Sequence, residues 1–92
     1  MLTLATTTKF RKDYKRLSKR GYDMRLLENV VDSLLKEKPL EARFKDHPLV
    51  GNYIGFRECH IQNDWLLIYK ISHEKLILTL TSTGTHSDLF NE

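Results

Sequence analysis

Residues 55–82 read GFRECHIQNDWLLIYKISHEKLILTLTS, and the pattern in this stretch decides the fold. Three runs, 55–61, 65–71 and 75–82, are rich in Phe, Ile, Leu, Trp, Tyr and Thr, which fit a pleated, half-buried surface. Short polar breaks at Gln62-Asn63 and Ser72-His73-Glu74 separate them, so the spacing predicts a three-stranded antiparallel meander. The middle run, Trp65-Leu66-Leu67-Ile68-Tyr69, is apolar at every position, as expected of a central strand covered by helices on one side.

The covering helices are legible upstream. After a short alternating stretch at residues 2–6, the hydroxyls of Thr6-Thr7-Thr8 are placed to cap a helix. Within that helix Phe10, Tyr14 and Leu17 recur at i, i+4 and i+7, a single apolar stripe, and Gly21 ends it. From Asp23 to about Lys38 the pairs Leu26/Leu27, Val30/Val31 and Leu34/Leu35 define a second helix with a broad apolar face, stopped by Pro39. A link of two or three residues makes the two an αα-hairpin. The expected order is β-α-α-β-β-β, an α+β fold with the hairpin packed on a small antiparallel sheet, preceded by a loop that carries Asp46-His47-Pro48 and Gly51-Asn52.

Ninety-two residues surround one hydrophobic core, so residues 1–92 are expected to form a single domain. With 40% hydrophobic and 29% charged residues the chain is too apolar for a disordered one. A single cysteine, Cys59, allows no internal disulfide and no cysteine cluster for zinc, which fits a reducing cytoplasm. No stretch approaches the ~20 apolar residues that cross a bilayer, so neither membrane insertion nor secretion is expected. Charge is uneven: residues 9–20 hold Lys9, Arg11, Lys12, Lys15, Arg16, Lys19 and Arg20 against Asp13 alone, in a chain of net charge +3. Such a basic element suits a polyanion or an acidic protein partner.

Meander geometry gathers particular side chains. His60 at the end of one strand lies beside Asp64 and Trp65 at the start of the next, and the third strand returns to the same edge, with His86 just beyond it. His73 falls in the opposite turn, roughly 25 Å away at ~3.3 Å per residue. His47 sits in a loop whose eight residues before Gly55 span at most ~26 Å, enough to reach the cluster. Each histidine alone is an ordinary polar residue near a strand end. Several with a carboxylate suit proton transfer near neutral pH, because the ordinary imidazole pKa of ~6.5 keeps both protonation states accessible. RNA cleavage needs that pair of roles: one group takes the ribose 2′-OH proton, another protonates the departing 5′ oxygen, and no metal or other cofactor is required. Histidine spacings of thirteen residues match no compact zinc motif.

Four blocks carry a resemblance: Lys45-Asp46-His47-Pro48-Leu49, Gly55-Phe56-Arg57-Glu58-Cys59-His60-Ile61, Asp64-Trp65-Leu66-Leu67-Ile68-Tyr69-Lys70, and Thr83-Gly84-Thr85-His86-Ser87-Asp88-Leu89-Phe90. In order and spacing the chain resembles the YafQ branch of the RelE toxins along its whole length. The resemblance implies a ribosome-dependent endoribonuclease that cleaves translated mRNA, the toxin of a type II toxin–antitoxin pair. Its implied partners are a DinJ-like ribbon-helix-helix antitoxin, the ribosome and mRNA, with DNA reached only through the antitoxin. It assigns acid/base roles to His47, His60, Asp64 and His86, with His86 the favoured general acid, and places Trp65 and Phe90 at aromatic positions near the substrate. One position departs: where many members carry an arginine before Thr-Gly, this chain has Ser82, so either Lys45, Arg57 or a residue of the basic helix supplies the phosphate cation or the protein is a weaker nuclease.

Two other functions compete. A basic ribosome- or RNA-binding module that blocks translation without cutting is favoured by Ser82. A DNA-binding helix-turn-helix around Gly21 is disfavoured, because the second helix commits its Leu and Val pairs to packing rather than to base edges.

Overall fold

The computed structural model describes residues 1–90; the last two residues of the expected domain lie outside the described residues. Strand β1 (Thr3–Thr6) leads into helices α1 (Thr8–Lys19) and α2 (Met24–Leu35), then β2 (His47–Pro48), β3 (Arg57–Gln62), β4 (Trp65–Ser72), β5 (Ile77–Gly84) and helix α3 (His86–Phe90). Short 3₁₀ turns at Ala42–Phe44 and Gly51–Tyr53 flank β2. The sheet has five strands in the order β1-β5-β4-β3-β2, with β4 at its centre.

Two features depart from the expected sheet. It is mixed rather than antiparallel, because β1 runs parallel to β5, pairing Thr3 with Ile77 through Thr6 with Leu80. The otherwise open edge of β5 thereby finds backbone partners. The stretch read as a loop contains β2, whose His47 and Pro48 pair with Glu58 and Arg57.

Thr7 caps α1: its hydroxyl accepts from the Phe10 N–H at 2.9 Å and donates to the Thr81 carbonyl at 2.7 Å. Gly21 turns the chain between the helices at φ +89°. α2 stops at Leu35, short of Lys38, because Glu37 enters the left-handed region at φ +56° while the Lys38 N–H returns to the Ser33 carbonyl. Phe10, Leu17, Leu27, Val30 and Leu34 from the hairpin bury against Cys59, Ile61, Trp65, Leu67, Tyr69, Leu78 and Leu80 from one face of the sheet. α2 buries its apolar face and exposes Arg25, Glu28, Asn29 and Asp32, whose two carboxylates oppose a phosphate backbone, which disfavours the helix-turn-helix reading. Among the described residues no helix is long and apolar enough to cross a membrane.

Because side chains alternate along a strand, Glu58, His60, Leu66 and Ile68 lie on the face away from the hairpin. A bulge lies at Thr81: Tyr69 pairs with Leu80 but Ile68 with Ser82. It puts Ser82 on the outer face and Thr83 on the inner one.

Candidate active site

The pairing places two rows of side chains on the outer face. One runs His47, Glu58, Ile68, Ser82 across β2, β3, β4 and β5, and the next runs His60, Leu66, Gly84. His47 therefore reaches the cluster as a strand residue, one strand from Glu58. Its ring lies 6.5 Å from that of His60, which in turn lies 6.0 Å from that of His86. Three imidazoles thus stand in a row, and Phe90 continues it 6.4 Å from His86, with Tyr53 edge-on to Phe90 at 5.7 Å. His73 lies in the exposed turn at the far end of β4, apart from this row.

Carboxylates orient the rings. Asp64 Oδ1 accepts from the His86 backbone N–H at 3.0 Å and lies 2.6 Å from His86 Nδ1. These bonds, the backbone one first, hold the Asp64 carboxyl below its ordinary range. The neutral His86 ring then carries its proton on Nδ1 and its lone pair on Nε2. His47 Nδ1 lies 2.6 Å from the Lys45 carbonyl, which Lys45 aims by adopting a left-handed backbone, φ +49°. A β-carbon is unfavourable in that region, so the turn spends conformational energy on this ring's orientation.

Glu58 is the residue the sequence reasoning missed. It is buried, and its Oε1 lies 3.6 Å from His47 Nε2 and 3.7 Å from His60 Nε2, an ion pair with whichever ring is protonated. The signal was available: Glu58 is two residues from His60 on a strand, hence on the same face.

Two residues expected to touch RNA belong elsewhere. Trp65 is 1% exposed, edge-on to Tyr22 at 5.1 Å, with its indole N–H donating to Thr83 Oγ1 at 2.9 Å. A base cannot stack on a covered ring, so Trp65 is a core residue. Arg57 lies on the inner face of β3 and pairs with Asp46 at 3.3 Å, where Tyr69 also donates to Asp46. Burial and that bond push the Tyr69 hydroxyl pKa well up, so it stays a protonated donor to Asp46. Burial likewise pushes the Cys59 thiol up to about 12, removing it as a nucleophile. Lys45 and Phe90 stay beside the site, and a groove lined by Arg20, Arg43, Lys45, His60, Asp64 and Thr85 opens next to it.

Two imidazoles ~6 Å apart can flank one phosphate, each hydrogen-bonding an oxygen at ~2.7–3.0 Å. The arrangement therefore suits in-line acid/base attack on a phosphodiester. Among the described residues no three His, Cys, Asp or Glu side chains converge closely enough to hold a metal ion.

Residues 2–91 match the family described as a bacterial toxin of type II toxin–antitoxin systems, YafQ. The mRNA interferase toxin YafQ of Escherichia coli K12 is 42% identical over 82 residues, which span 88% of this chain and 87% of the relative. A metal-bound toxin from Helicobacter pylori superposes with a TM-score of 0.92 at 49% identity, over 98% of this chain and 100% of that one. The structure of the E. coli DinJ–YafQ complex gives 0.89 at 37% identity, over 98% of this chain and 99% of that one. Sequence and architecture agree along nearly the whole length, and the chain belongs to the YafQ family of bacterial type II toxin–antitoxin toxins.

Proposed function

We propose that this protein is an mRNA interferase that cuts translated mRNA on the ribosome and so arrests translation. The carrying observation is the row His47, His60, His86, with rings 6.0–6.5 Å apart on the outer sheet face and a carboxylate against each end. In this reading His60 takes the proton from the ribose 2′-OH as its oxygen attacks the adjacent phosphorus. A 2′,3′-cyclic phosphate forms as the P–O5′ bond breaks. His86, in its imidazolium form with Nδ1 held by Asp64, donates its Nε2 proton to the departing 5′ oxygen. His47 and Lys45 contact the phosphate at the groove mouth, with Glu58 as counter-charge to the histidine pair, while Phe90 offers a ring to an unpaired base. The family match and the E. coli relative's name support the activity.

The partner that silences it is an antitoxin of the DinJ type, as the E. coli complex suggests, with a ribbon-helix-helix part that carries the pair to DNA. The site of action is the cytoplasm, where ribosomes translate.

His86→Ala and Asp64→Ala are expected to relieve growth arrest and abolish discrete mRNA ends in primer extension, with the fold retained by circular dichroism. Equal toxicity of wild type and both variants would sink the assignment. Ser82, where many relatives carry a cation, favours a second reading, translation blocked without cutting. That reading predicts inhibition with no translation-dependent ends from the wild type itself.

A further inference from the structure

α3 has five residues, too few to hold itself by its own hydrogen bonds. Yet it carries His86 at its first position, where the proposed chemistry requires the ring to be fixed. Its order comes from outside. Thr85 and Asp88 cap one another: Thr85 Oγ1 accepts from the Asp88 N–H at 3.0 Å, and Asp88 Oδ2 accepts from the Thr85 N–H at 3.1 Å. The same carboxylate receives the guanidinium fork of Arg20 at the end of α1, Nη1 to Oδ2 at 2.9 Å and Nη2 to Oδ1 at 3.4 Å. Gly84 makes room: a β-carbon there would stand 2.9 Å from Asp88 Cβ, and its φ of +154° disfavours any side chain. Asp64 grips His86 from the other side, through its backbone N–H and its ring.

We infer that Arg20 and Asp88 form a brace from the basic helix to α3 that positions His86 against Asp64, an inference that rests on the nuclease reading of His86. An exposed ion pair is ordinarily worth little to stability. This one differs in geometry. The Asp88 side chain is 16% exposed, and it is shared between a two-pronged arginine and the cap adjoining His86. Its loss lets α3 unwind and swings the acid away from the leaving oxygen, without disturbing the core that α1 and α2 build on the inner face. Arg20 and Asp88 are thus positioning residues, and they tie the toxin's basic surface mechanically to its chemistry.

The test measures single-turnover cleavage on translating ribosomes for wild type, Arg20→Ala, Arg20→Lys and Asp88→Asn, with melting curves for each. The maximal rate should fall at least ~10-fold in Arg20→Ala and Asp88→Asn, as small misplacements of catalytic groups do, with the half-saturating concentration unchanged. Arg20→Lys should recover part of the loss, and Arg20→Ala/Asp88→Asn should be no worse than Asp88→Asn. In carbon-detected titrations the Asp64 carboxyl, low in the wild type, should rise towards its ordinary value in Arg20→Ala. An unchanged maximal rate overturns the brace, as does a loss confined to half-saturation, which would make Arg20 a ribosome or RNA contact. If the wild type does not cleave, the nuclease reading fails, and the Asp64 titration alone decides: no change in Arg20→Ala overturns the brace. Should Asp88→Asn fail to fold, exposed Arg20 carries the same comparisons.

Discussion

Replacing Asp13 with alanine should destabilise the protein far more than a helix-surface substitution in a basic segment. Asp13 is 2% exposed although it lies among seven basic side chains. Its Oδ2 accepts from Lys9 Nζ at 2.9 Å and from the Thr83 N–H at 3.1 Å, and its Oδ1 accepts from Arg16 Nη2 at 3.0 Å. Thr83 is fully buried, so alanine leaves its N–H without an acceptor or water, a cost of about 1–3 kcal/mol. Lys9 and Arg16 are 57% and 39% exposed, so their ion pairs return largely to water and add about 1 kcal/mol between them. The sum is about 3 kcal/mol, and at ~4–8 °C per kcal/mol for a domain of this size the midpoint should fall by about 12–24 °C. Asp13→Asn keeps an oxygen for Thr83 and should lose only about 1 kcal/mol. Urea and thermal unfolding of wild type, Asp13→Asn and Asp13→Ala measure this directly. A loss below about 1 kcal/mol for alanine, or asparagine as damaging as alanine, would refute the claim that the Thr83 bond dominates. Because Thr83 is three residues before His86, folded Asp13→Ala should also cleave more slowly.

Glu58→Gln, which keeps the shape and removes the counter-charge of His47 and His60, should lower cleavage about 10–100-fold with the fold intact by circular dichroism; unchanged primer-extension ends would exclude Glu58 from the site. Ser82→Arg restores a cation on the outer face two strands from Glu58, ~10 Å across the sheet. It should accelerate single-turnover cleavage about 10–100-fold, and a variant no faster than wild type would show that the site already supplies its phosphate charge. Burial opposes ionisation of Asp88, but Arg20 and the Thr85 N–H outweigh it and hold the carboxyl at about 2. A depressed carboxyl stabilises the fold above its unfolded pKa and loses that contribution as pH falls through the folded value, here about 2 kcal/mol lost between about pH 4 and 2. Wild-type stability should therefore fall more steeply than that of Asp88→Asn across that window in acid-dependent urea melts, and parallel curves would contradict it.

Local pattern reveals interactions whose partners lie close along the chain or whose alternatives are few. The Phe10 and Leu17 stripe, the paired Leu and Val positions of α2 and the three strands after Gly55 follow from periodicity. A meander has one antiparallel order, so the neighbourhood of His60, Asp64 and His86 follows as well. What sequence left open was which face of an all-apolar strand the helices cover. Leu66 and Ile68 are as apolar as Trp65, Leu67 and Tyr69, so nothing local said that Trp65 points into the core, whereas the three-residue offset of Arg57 from His60 already set those two on opposite faces. Thr81 carries no mark of the bulge that changes which face Ser82 and Thr83 occupy.

Long-range pairing carries the remainder. A two-residue strand has too little pattern to be read, and His47, which the sequence placed only within reach of the cluster, is brought to it because Pro48 and His47 align with Arg57 and Glu58. Asp13 reads as a lone acid in a basic helix until Thr83 presents its N–H, seventy residues later. Arg20 likewise meets Asp88 only after the chain has closed its sheet. The sequence by itself determined the helices, the meander and the neighbourhood of His60, Asp64 and His86, because spacing along the chain encodes them. Only the tertiary structure decided which groups face one another and which are buried, because those depend on register, a bulge and the face the hairpin covers.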